Sequence, residues 1–200
     1  MQIELRSIQH KIGTTTLLVT HDQSEAMALS DRIAVFHEGR VQQVGTPREI
    51  YERPRNLFVA DFMGQVNRLN GTIVSRAAEG AVVTLGDHRI RVVDKTGGTG
   101  AAIVTIRPEA LTFAGAAAAA DHNRFTGTIL EAVFLGAVID YQVDIGGFIL
   151  RVQGDRHGYR SAGAEVVLTV PVSECVLMRE LPSEAPPQLS ESSLLRSPKA

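Results

Sequence analysis

The stretch Leu17-Leu18-Val19-Thr20-His21-Asp22-Gln23-Ser24-Glu25-Ala26-Met27 contains a change of hydrophobic period that decides how the N-terminal part is read. Upstream of it, Thr14 to Val19 is an aliphatic and β-branched run without alternation. That is the pattern of a strand buried on both faces, as in a parallel sheet. From Gln23 the spacing becomes helical. Asp22 or Thr20 can cap that helix, and Glu25 stands three positions after Asp22, a capping-box spacing. His21 is therefore predicted at the carboxyl end of a buried strand, where open α/β sheets hold their ligands. An imidazole there can donate a hydrogen bond to a phosphate oxygen or to a reacting water. By position alone, though, a histidine after a strand is more often structural than functional.

The bulk properties narrow the classes. A chain of 200 residues can bury a real core as one large domain or two small ones. A formal net charge of -2 argues against non-specific binding to nucleic acid or acidic membranes. The single cysteine, Cys175, excludes a disulfide framework and a cysteine zinc site, in keeping with a reducing compartment. No apolar run approaches the roughly 18 residues of a membrane span, and the N-terminus lacks a signal-peptide pattern. With no tryptophan and few aromatic residues, the core is expected to be aliphatic.

Before the decisive stretch, Gln2 to Ile12 reads as an amphipathic helix with Ile3, Leu5, Ile8 and Ile12 near one face and Gly13 placed to end it. A buried parallel strand needs neighbours on both sides. The residues before Thr14 supply none, so the other strands of that sheet are expected in a longer parent or in another chain. Downstream, Ile33 to Phe36 and Arg40 to Val44 flank Glu38-Gly39 as a hairpin. Thr46-Pro47-Arg48-Glu49 is a strong helix start, with a threonine cap, proline at the first helical position and glutamate at the third. That helix stops before Pro54, and a second short helix is predicted around Asn56 to Met63.

From about Val66 the texture changes to short alternating runs separated by glycine-rich turns, the pattern of an antiparallel barrel or sandwich. Gly71-Thr72-Ile73 and Gly127-Thr128-Ile129 open two similar stretches, which hints at a duplicated small barrel. Ala114 to Ala120 reads as a loop insertion. The tail from Pro182 is rich in Pro, Ser and Glu and is expected to be disordered. Phe125, Phe134, Tyr141 and Phe148 are spread out and read as core residues. Basic clustering is missing, so nucleic-acid binding by the barrels is disfavoured.

The strings Val19 to Gln23 with Glu25 to Met27, then Ala34 to Val41 and Gly45-Thr46-Pro47, closely resemble the end of the nucleotide-binding domain of ABC-transporter ATPases. The resemblance is to the importer branch with a C-terminal regulatory domain, as in maltose, polyamine and iron uptake, and it runs from about Gln2 to Met63. Ile106-Arg107-Pro108-Glu109 and Phe134-Leu135-Gly136 resemble recurrent strings of that branch's regulatory domain, the TOBE type, as far as about Met178. The implied fold is an α/β fragment, the end of a P-loop ATPase domain, followed by an all-β domain of OB-like barrels. The expected divisions are residues 1–64, 65–180 and a tail of 181–200. The resemblance makes His21 the switch histidine that contacts the γ-phosphate of ATP. Arg107 and Glu109 are candidates for a ligand, regulatory or subunit contact, with a buried structural salt bridge as an equal alternative.

An absence sets the limit of this reading. ATP hydrolysis in the family needs a phosphate loop, G-x-x-x-x-G-K-[ST], whose backbone and lysine hold the phosphates. The sequence has no such string, no signature loop and no acidic strand end for magnesium and the general base. Gly97-Gly98-Thr99-Gly100 lacks the following Lys-Ser/Thr and reads as a turn. ATP and magnesium are thus cofactors of the intact parent, and none is expected for this chain alone. The implied partners are a second copy, as a homodimer, and membrane permease subunits that would hold it peripheral to the inner membrane on the cytoplasmic side. A small ligand at the β domain is a further candidate. Val66-Asn67-Arg68-Leu69 points towards a polyamine as the transported solute, with iron, sugar and phosphonate open. The competing reading is a stand-alone β-barrel sensor of a small ligand.

Overall fold

The computed structural model describes residues 2–77, 80–94, 98–114 and 120–178. It opens with α1 (Gln2–Ile12) and α2 (Gln23–Leu29), then a hairpin of β1 (Ile33–His37) and β2 (Arg40–Gly45), then α3 (Pro47–Glu52) and α4 (Leu57–Phe62). Local chemistry accounts for these boundaries. Gly13 ends α1 at φ +68°, and Glu38 and Gly39 both take positive φ, the turn whose twist matches a hairpin. Thr46 and Glu49 complete a reciprocal capping box, with Pro47 at the helix start. Asn56 caps α4 by accepting from the Val59 amide at 2.9 Å, and its own amide donates to Gln42 Oε1 at 3.1 Å. Ile33, Val35, Ile50, Val59 and Met63 form a small core, against which Ala26, Met27, Tyr51, Phe58 and Phe62 pack.

One expectation is corrected here. Thr14 to Val19 is not a buried strand: it carries no ladder, and Leu17 and Val19 are 91% and 90% exposed. A strand exists only through its partners' hydrogen bonds, and none of the described residues pairs with this segment. Leu5, Ile8 and Ile12 of α1 are exposed too.

The β region is built from β3 (Asn67–Ala77), β4 (Gly80–Leu85), β5 (His88–Val93), β6 (Gly100–Ile106), β7 (Thr112–Phe113), β8 (His122–Phe134), β9 (Val138–Asp144), β10 (Ile149–Asp155), β11 (Glu165–Pro171) and β12 (Val176–Met178). Five of these close a barrel in the order β12-β5-β4-β3-β6, and the other five form a sheet in the order β10-β9-β8-β11-β7. The first unit closes because β12 reaches both neighbours, antiparallel to β6 and parallel to β5 at Val176↔Val93. In the second unit the two-residue β7 pairs with β11 alone. The units exchange their last strands: β7 leaves the first repeat to join the second sheet, and β12 leaves the second repeat to close the first barrel. A single core, from Leu69 and Val104 to Tyr141 and Leu168, runs through both.

The duplication is longer than the glycine strings alone. Asn67-Arg68-Leu69-Asn70-Gly71-Thr72-Ile73 and Asn123-Arg124-Phe125-Thr126-Gly127-Thr128-Ile129 open β3 and β8 in matching positions. Each strand breaks register directly afterwards, between Ile73 and Ser75 and between Ile129 and Glu131. A Cβ on Gly71 would lie 2.5 Å from the Thr84 carbonyl oxygen, and one on Gly127 would lie 2.4 Å from that of Asp144. Both glycines are thus fixed by close backbone approach.

Phe125 and Tyr141 are buried and Phe148 packs against the core, as expected, but Phe134 is 63% exposed. It stands at the end of β8, beyond the part of the strand that covers the core. Gly98, before β6, and Gly100, its first residue, take positive φ, whereas Gly97 lies outside the described residues. Residues 115–119 of the Ala-rich stretch and the whole tail from 179 also lie outside them.

Candidate functional site

His21 sits in an exposed bend between the extended segment and α2. Its position is fixed by the helix cap beside it. Asp22 Oδ1 accepts from the Ser24 amide at 2.8 Å, the Ser24 hydroxyl at 2.6 Å and the Glu25 amide at 3.1 Å. These bonds, led by that of the Ser24 hydroxyl, hold the Asp22 carboxyl below the usual carboxylate range. Thr20 takes a different role from the cap considered above. Its hydroxyl donates to Glu25 Oε2 at 2.9 Å and accepts from the Asp22 amide at 3.0 Å, bracing the bend from its other side.

The bend opens onto a cleft of about 890 Å³ between residues 13–23 and the 31–36 segment, floored by Ala26, Leu29, Phe62 and Met63. Its donor set decides what it can do. Two of the first amides of α2, those of Ser24 and Glu25, already bond the Asp22 carboxylate and are not available to an anion. The His21 ring fits a single contact to a phosphate oxygen. It does not fit the task of holding a nucleotide, which needs several converging donors.

Arg107 and Glu109 come together around a third residue, Tyr51. The Arg107 guanidinium lies over the Tyr51 ring, 4.2 Å from its centroid, and donates to the carbonyls of Gly64 (3.1 Å), Gln65 (3.1 Å) and Tyr51 (3.3 Å). The Tyr51 hydroxyl donates to Glu109 Oε1. Burial, then the hydrogen bond from the hydroxyl to the Glu109 carboxylate, pushes Tyr51 up to about 12. Arg107 therefore spends its donors on backbone carbonyls, and the buried salt bridge considered for this pair is not what forms. Beside it lies a cavity of about 390 Å³, lined among others by Tyr51, Thr105, Arg107, Glu109 and Glu174.

Two features of this region escaped sequence reading. Tyr51 carries no motif, although its place on α3, facing the turn after β6, makes it the hub of the contact. Asn67 and Asn123 were readable in principle, through the repeated Asn-Arg string. Their side chains tie the two repeats together across the interface.

Comparison with known proteins shows what the chain resembles. Residues 104–178 match the TOBE domain. The chain is 41% identical over 175 residues to the spermidine/putrescine import ATP-binding protein PotA of Rubrobacter xylanophilus, covering 84% of this chain and 45% of the relative. Residues 104–178 are thus similar to the TOBE domain, and the chain is similar to part of the ATP-binding subunits of ABC importers. PotA of Hahella chejuensis is 42% identical over 154 residues, covering 72% of this chain and 40% of the relative. The Fe(3+) ions import ATP-binding protein FbpC of Agrobacterium fabrum is 39% identical over 144 residues, again covering 72% and 40%. The chain thus spans less than half the length of these curated relatives. The chain also has a structural neighbour, the molybdate-bound cytoplasmic molybdate-binding protein ModG. It has a TM-score of 0.51 and 12% identity, covering 56% of this chain and 94% of ModG, a likeness of fold. No described helix of this chain is long and apolar enough to cross a membrane.

Proposed function

We propose that this chain is the carboxyl-terminal portion of an ABC-importer ATP-binding subunit, in which His21 contacts the γ-phosphate of ATP and the β domain regulates or holds together a dimer of subunits. The observation that carries this reading is the similarity to import ATP-binding proteins across 84% of the chain. The presentation of His21 at the lip of the cleft, next to a capped helix, supports the role given to it. In the intact subunit, ATP with magnesium would be held by elements the present sequence lacks. The His21 ring would add one hydrogen bond to the terminal phosphate, and the Asp22 cap would keep the bend from collapsing onto that bond. The solute is a polyamine in this reading, supported by relatives named for spermidine and putrescine; the iron-import relative names the main competitor. The partners are a second copy and membrane permease subunits, which would hold the subunit at the cytoplasmic face of the inner membrane.

A stand-alone ligand sensor is the competing reading, and calorimetry on the purified chain separates the two. Titration with magnesium-ATP and, separately, with molybdate is expected to give no heat of binding. Micromolar ATP binding would contradict the assignment of phosphate holding to other elements. Saturable molybdate binding would favour the sensor.

A further inference from the structure

We infer that Tyr51 is the joint through which the β domain sets the position of the His21 bend. The inference rests on the role proposed above for His21 and names how that site would be regulated. The turn after β6 holds Tyr51 on two sides, with Arg107 stacked on the ring and Glu109 accepting from the hydroxyl. The same guanidinium bonds the carbonyls of Gly64 and Gln65, where the chain passes from α4 into β3. Gly64 has φ +133°, so the backbone at that passage is of a kind only glycine adopts readily, and Arg107 is what pins it.

From Tyr51 the contact continues by packing. Its neighbour Ile50 is fully buried in the small core, and Ala26 and Met27 of α2 press on that same core. The α2 helix has no buried residue of its own, so it is held by these contacts, by the Asp22 cap and by α1, whose Arg6 donates to the Ala28 carbonyl at 2.8 Å. A displacement of the β6 turn therefore moves Tyr51, then the core, then the helix whose first turn carries the bend. Close-packed side chains transmit such shifts because they have no slack to absorb them. Tyr51 is in this sense a positioning residue.

Amide hydrogen exchange on the full chain tests this without nucleotide, so its outcome is independent of whether His21 meets a phosphate. Glu109→Ala is expected to speed exchange of the Ala26 amide, which bonds the Asp22 carbonyl at 3.1 Å, by roughly tenfold, the loss of one hydrogen bond. Glu109→Gln, which keeps an acceptor for the hydroxyl, restores the wild-type rate, as a joint acting through that bond requires. Amides of the barrel, such as those of Leu69 and Val104, keep their protection and show that the variant is folded. Unchanged exchange at Ala26 in Glu109→Ala would overturn the inference. Equal acceleration at Ala26 and in the barrel would also overturn it, since Tyr51 would then support the whole fold and not the bend.

Discussion

The side chain of Asn67 pairs with the backbone of Arg151 as a strand would: its Oδ1 accepts from the Arg151 amide at 2.7 Å and its Nδ2 donates to the Arg151 carbonyl at 2.8 Å. Asn123 does the same to Arg91, at 2.8 and 2.7 Å. Each asparagine opens the first strand of one repeat and grips the third strand of the other. The two repeats are joined reciprocally by one device used twice, and both asparagines are buried.

Removing either device strands a backbone N–H and C=O in a partly buried place. Asn67→Ala and Asn123→Ala are each expected to cost about 2–3 kcal/mol of unfolding free energy in urea. Asn67→Asp keeps the acceptor and loses the donor, so it also destabilises. A loss below about 0.5 kcal/mol in both alanine variants would mean that water replaces the amides.

Gly71→Ala and Gly127→Ala are expected to be strongly destabilising, by about 2 kcal/mol or more, because the new Cβ meets a backbone carbonyl that cannot swing away. Gly13→Ala is the control. Its Cβ would meet nothing within 4 Å, and only its φ of +68° is strained, so it should cost about 1–2 kcal/mol and loosen the end of α1 alone.

How much of this was legible follows from the range of the forces involved. The capping box at Thr46, the Glu38-Gly39 turn, the end of α1 and the start of α2 are decided within a few residues, so they could be read directly. The reading of Thr14 to Val19 failed because an aliphatic run becomes a strand only when other strands flank it. The exchange of β7 and β12 left no local trace, since each is a short run whose pairing is fixed by distant β6 and β11. His21, Arg107 and Glu109 were visible as a resemblance. That Arg107 and Glu109 converge on Tyr51 required the packing of α3 against the barrel.

Acid should weaken the helix caps of the N-terminal lobe. Asp22 and Glu49 both have folded pKa values depressed by the hydrogen bonds of their caps, from Ser24 and Glu25 and from Thr46. A depressed carboxylate contributes stability above its unfolded pKa, near 4, and loses it as pH falls through the lower folded value. Helical circular dichroism should therefore decline below about pH 4, and Thr46→Ala should flatten that decline. An acid profile identical in Thr46→Ala and the parent would contradict this assignment.

At the alkaline end the sign reverses. Tyr51 has a folded pKa raised to about 12, so its contribution is complete below the unfolded value near 10 and is lost as pH rises through 12. Spectrophotometric titration at high pH should show a late tyrosine step that Tyr51→Phe removes. Its persistence in that variant would assign the step elsewhere.

The role of His21 is best tested in a working ATPase. The segment of Rubrobacter xylanophilus PotA that matches this chain can be exchanged for the chain itself, and steady-state ATP hydrolysis measured for the chimera and its His21→Ala variant. The chimera is expected to hydrolyse ATP, and His21→Ala to reduce turnover by about 100-fold or more, the usual cost of losing a donor to a transition-state oxygen. Equal turnover in the two proteins would contradict the assignment of His21 to the γ-phosphate.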